Sequence, residues 1–85
     1  MNTLNQFVKQ RNAFNAVFGI ASLDLTVAAD RQRCADIIDS ALSPENLTCD
    51  GELPRTEVNR RYRELTSAAK ELKALDPAVT FYEFA

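Results

Sequence analysis

The chain has 85 residues, a formal net charge of −2 and an apolar fraction of 46%. That is one domain's worth of chain, too apolar for disorder and without the global positive field that draws a protein to nucleic acid or an anionic membrane. With no histidine and only two cysteines it cannot close a four-ligand zinc cage or supply the usual neutral-pH base.

The first helix is expected over about residues 4–21, starting at Thr3, where Thr3 and Gln6 have the spacing of a capping box. Its apolar set is Leu4, Phe7, Val8, Phe14, Val17, Phe18 and Ala21. Arg11 interrupts this stripe, its stem in the seam and its head in water. Asn12 and Asn15 weaken the intrinsic helicity, which leaves packing to compensate. Gly19 marks a close contact or early fraying.

Residues 22–26 read as a connection, with Asp24 or Thr26 as cap for a second helix over about 27–42. Val27, Cys34, Ile37, Ile38, Ala41 and Leu42 would face inward. Asp30, Arg33, Asp36 and Asp39 would face mostly outward. Ser43-Pro44 stops this helix, because proline disfavours the α conformation of the residue before it. The same pair can open a short new turn, with Ser43 as cap and Pro44 first.

Residues 46–53 form the one sizeable loop, with Asp50-Gly51 as its turn. The third helix is expected over 55–75, with Pro54 in its first turn. Its apolar residues Val58, Tyr62, Leu65, Ala69, Leu72 and Leu75 recur in steps of three and four, the period of one helix face. Arg60, Arg63, Glu64, Ser67, Lys70 and Glu71 occupy the opposite face. Asp76-Pro77 ends the helix, leaving a short fourth helix over 77–84 or an extended tail. Together the elements predict an all-α fold, a small antiparallel three-helix bundle with its tail closing one side of the core. A core this small also suits a self-dimer that buries a leftover stripe. Cys34 reads as buried and Cys49 as incidental.

Catalysis is not expected. No two carboxylates are set apart by a recognisable apolar pocket, Ser40 and Ser43 have no base in view, and two glycines, Gly19 and Gly51, are too few for a phosphate-cradling loop. No cofactor and no metal are expected. The stretch 46–57 resembles an EF-hand calcium loop at Asp50, Gly51, Leu53 and Glu57. The resemblance implies that Asn46, Thr48, Asp50 and Glu57 would offer side-chain oxygens and Glu52 its carbonyl. Asn and Thr stand where acids are usual, and Pro44 breaks the entering helix. The residues themselves allow a plainer reading, a tight turn followed by an acid in a helix's first turn.

Elimination points to a cytoplasmic, non-enzymatic module that binds another protein as an adaptor, inhibitor or regulatory subunit. No apolar run approaches 18 residues, so no membrane span is expected. The candidate contact residues are Arg60, Arg61 and Arg63 on the third helix, Asp30, Asp36 and Asp39 on the second, and Phe81, Tyr82 and Phe84 in the tail. The alternative is a helical nucleic-acid binder using Arg55, Arg60, Arg61, Arg63 and Lys70.

Overall fold

A computed structural model describes residues 2–82. It is all-helical among those residues: α1 (Thr3–Val17), α2 (Ala28–Leu42), α3 (Pro44–Thr48) and α4 (Arg55–Leu75). The bundle of three long helices is as expected, and the optional turn after Ser43 is a helix of its own. α4 is the hub. α1, α2 and α3 all pack against it, and α2 also packs on α3. α2 and α4 are antiparallel, since Arg31 in α2's first turn donates to Asp76 at α4's end, 2.7 Å away.

The core lies mainly between α2 and α4. Cys34, Ala35 and Ile38 meet Ala68, Ala69 and Leu72, all without solvent exposure. Small residues let the two backbones approach, while Ile38 and Leu72 supply bulk worth roughly 1.5–3 kcal/mol each on burial. The predicted α4 stripe is offset at its ends, because Tyr62 and Leu75 are exposed and Ala68 is buried instead. Ser67 and Glu71 also leave the solvent face. Glu71 accepts the backbone N–H groups of Thr3 and Leu4 at 3.2 and 3.1 Å, and Ser67 donates to Thr3 at 3.1 Å. A carboxylate thus meets the unsatisfied donors and positive dipole end of α1.

α1 ends at Val17, not near residue 21. Gly19, at φ 68°, takes the left-handed conformation that glycine adopts most cheaply. Its N–H bonds to Ala16 and that of Ile20 to Asn15, the paired bonds of a Schellman stop. At the other end the cap is Asn2, which accepts from the Asn5 N–H at 2.8 Å, and not Thr3. α2 starts without a side-chain cap, its N-cap being Val27. Asp24 accepts from Thr26 instead, and Val27 is exposed. Pro54 stands at α4's N-cap, one position outside the helix.

On α1 only Leu4 and Asn15 are buried, with Phe7 and Val8 packed at the core's edge. Phe14, Val17, Phe18 and Ala21, expected inside, face solvent. Asn12 and Asn15 explain the shift. Asn12 brackets Leu23, accepting its N–H at 2.7 Å and donating to its carbonyl at 3.1 Å, and Leu23 is buried. Asn15, 2% exposed, donates to Ala21 at 3.3 Å. The amides fold the connecting loop back onto α1, so Leu23 and Leu25 fill space that the helix's last turn would have filled.

The tail forms no helix over 77–82. It is extended and stitched to its neighbours. Gln32 accepts the Thr80 N–H at 3.0 Å and donates to its carbonyl at 3.1 Å, and Lys73 donates to the Val79 carbonyl. Val79 is buried and Phe81 packs on the core. Asp39, expected outward, is 7% exposed and accepts the Tyr82 N–H at 2.8 Å. No described helix is long and apolar enough to cross a membrane.

Candidate functional site

Because α1 and α2 each lean on α4 rather than chiefly on each other, a groove of about 1060 Å³ opens between them. Phe7 of α1, Ile37 and Ala41 of α2 and Leu65 of α4 give it an apolar lining. These are side chains at the edge of the core whose outer halves have no helix over them.

The groove's edge is charged and of mixed sign. On α4, Arg60 is held between Glu57 and Glu64, both on the same helix. The hydrogen bond to Glu57 does most to keep Arg60 protonated, and Arg60 in turn holds the Glu57 carboxyl below its ordinary value. This triad is exposed, so it adds little stability; it fixes the position of three charges. Arg61 is half-buried and donates to the Cys49 sulfur at 3.6 Å, and no carboxylate pairs with it among the described residues. Asp36 lines the α2 wall and accepts from Gln32 at 2.9 Å. Arg11 lines the α1 wall.

Three of the nine residues singled out by the sequence therefore come together here: Arg60, Arg61 and Asp36. Arg63 is exposed on α4 but does not line the groove. Asp30 is taken up locally, accepting the Asp24 N–H at 2.9 Å and an Arg33 N–H at 3.0 Å, and those bonds lower its pKa in that order of effect. Asp39 and Phe81 hold the tail against the core. Tyr82 is 86% exposed, and Phe84 lies outside the described residues. Arg55 and Lys70, the further cations of the nucleic-acid alternative, are exposed outside the groove.

Two contributors escaped sequence reading. Phe7 counted there as core, and Arg11 as a snorkelling interruption. The Nε of Arg11 is in fact buried without a hydrogen-bond partner, and its guanidinium lies over the Phe14 ring at 4.9 Å. A cation two turns before Phe18 and one before Phe14 was the available signal.

Three of the four calcium-loop side chains are otherwise engaged. Asn46 and Thr48 lie in α3, where Asn46 donates to the Ser40 carbonyl at 2.7 Å and Thr48 to the Pro44 carbonyl at 2.7 Å. Glu57 is bound by Arg60. Cys49, Asp50 and Gly51 follow one another in the left-handed region and turn the chain into α4. No group of three or more His, Cys, Asp or Glu is arranged to hold a metal among the described residues.

Comparison with known protein families, with curated proteins and with solved structures finds no match to this chain. The class that the fold defines is a small helical bundle, and the site is a groove between two of its helices.

Proposed function

We propose that this protein is a non-enzymatic module that binds another protein through the groove between α1 and α2. It acts as an adaptor, inhibitor or regulatory subunit. The observation that carries this reading is the joining of an uncovered apolar lining with a mixed-charge edge in one concave surface. Such a surface rewards a partner of matching shape, with charge setting register and choice of partner. The Glu57–Arg60–Glu64 triad favours a protein over nucleic acid, because two carboxylates offset the cation at the centre of the arginine cluster.

The test is affinity capture from the native host with the wild-type chain, an Arg60→Glu/Arg61→Glu variant and an Arg63→Glu variant. One specific protein should be retained by the wild type and by Arg63→Glu, and lost by the double variant. Loss with Arg63→Glu alone would move the interface off the groove. Binding of duplex or single-stranded nucleic acid that weakens steeply with salt would replace this reading with the alternative.

A further inference from the structure

The α1 edge of the groove carries an unmet demand. Arg11 is half-buried there, and its Nε–H is enclosed without an acceptor. Among the described residues no ion pair includes Arg11, and no acidic residue precedes Asp24 in the chain. A buried donor left unpaired is destabilising, and stacking on an aromatic face does not satisfy its hydrogen. The Phe14 ring beneath the guanidinium lies 4.8 Å from that of Phe18, centroid to centroid, at 43°. Phe14 is 49% and Phe18 64% exposed, and Val17 beside them 79%. Positions 11, 14 and 18 succeed one another at helical spacing, so cation and rings make one strip that starts at the groove's edge with Arg11 and runs beyond it. Arginine and phenylalanine are both enriched at the cores of protein interfaces. The Nε–H is closed to an outside acceptor, but the guanidinium charge is without a counter-ion among the described residues, and such a strip suits a carboxylate beside an apolar surface.

We infer that Arg11, Phe14 and Phe18 anchor an acidic amphipathic helix of the partner. A carboxylate of that helix pairs with the Arg11 guanidinium, and its apolar side chains cover the two rings and enter the groove. The inference rests on the protein-binding reading above and names the partner's chemistry. Charge disfavours a second copy's α1 as occupant. Placed against this chain's α1, that helix would set Lys9 and Arg11, with no acid on either copy of the helix, against the same two cations.

The experiment uses the full chain and two fluorescein-labelled synthetic helices. Both carry leucines at one helical face; one is flanked by glutamates, the other by lysines at the same positions. Anisotropy at physiological salt should show the glutamate peptide binding about tenfold more tightly or better. Amide shifts should fall on Phe7, Arg11, Phe14 and Phe18. Arg11→Glu should reverse the preference between the peptides. Phe18→Ser, at a solvent-facing position, should weaken the glutamate peptide while leaving the melting curve in place. Equal affinities for the two peptides, or shifts confined to other surfaces, overturn the inference. So does a dimer, seen by sedimentation, that seals Phe14 and Phe18 and that neither peptide dissociates. Host capture lost in Arg61→Glu but retained in Arg11→Glu sinks this inference and spares the binding reading. Absence of both host capture and peptide binding sinks both.

Discussion

α4 is covered on one side by α2 and on the other by α1, and the two covers are made differently. Against α2 the seam is apolar and closed: Cys34, Ala35 and Ile38 meet Ala68, Ala69 and Leu72 with no solvent between them, and the tail adds Val79. Against α1 much of the attachment is polar, with Glu71 on the helix's first N–H groups and Asn12 clamping Leu23. The apolar residues α1 has to spare are left outside. A domain of this size holds its fold with one well-sealed seam, and a helix tethered beside that seam can present aromatic surface without unfolding the rest.

The most severe way to break this contrast is a charge in the sealed seam. Leu72→Asp should abolish the cooperative thermal transition, because a carboxylate there has neither water nor a partner. Phe18→Asp on the open side should shift stability by no more than about 0.5 kcal/mol. Circular dichroism melts compare the two, and similar curves would mean the two seams are alike. Ending the chain after Ala78 should cost about 2 kcal/mol or more in urea unfolding, since it removes buried Val79 and the bonds that stitch residues 79–82 to α2. An unchanged midpoint would make the tail a free appendage.

Asn12→Ala tests the polar tether and should destabilise by about 1–2 kcal/mol, as both backbone groups of Leu23 lose their partner. Acid should loosen the other polar tether of α1, at Glu71, and the link between Asp76 and Arg31 of α2. The Glu71 carboxyl is held below its ordinary 4.5, most by the Leu4 N–H and then by the Thr3 N–H and Ser67. Asp76 is held below 3.8, most by Arg31. A lowered folded-state pKa gives stability that is present above the unfolded value and lost as pH falls through the folded one. Stability should therefore decline below about pH 4.5, and Glu71→Gln should flatten the upper part of that decline. The smallest effect concerns the thiols. Cys49 is exposed and should react at once with a thiol reagent, and Cys49→Ser should be near neutral. Cys34 is fully enclosed, its thiol pushed up to about 11 by burial, and should react only as fast as the protein opens.

α4 was readable to the residue, Arg55–Leu75, because its period is regular and Pro54 and Asp76-Pro77 bracket it. That the tail closes one side of the core was readable, but Phe81 was also read as a partner contact, and its packing on the core beside Val79 was decided by the fold. Asp39 was not, since its charge places it outside until the Tyr82 N–H arrives to be accepted. Asn12 and Asn15 read as poor helix formers, and their value appears only when residues 21–23 fold back within reach. For the groove, Arg60, Arg61 and Asp36 could be picked out as charged surface, but their meeting could not, nor could the exposure of Phe14 and Phe18.

By itself the sequence determined that oily positions recur at helical spacing, where helices stop, and which side chains carry charge. These are local properties, set by periodicity, proline, glycine and side-chain chemistry. Only the tertiary structure decided which part of each stripe is covered, because coverage depends on where two helices cross a third. That crossing seals α2 against α4 and leaves the groove, with Arg11 and its two phenyl rings, open beside it.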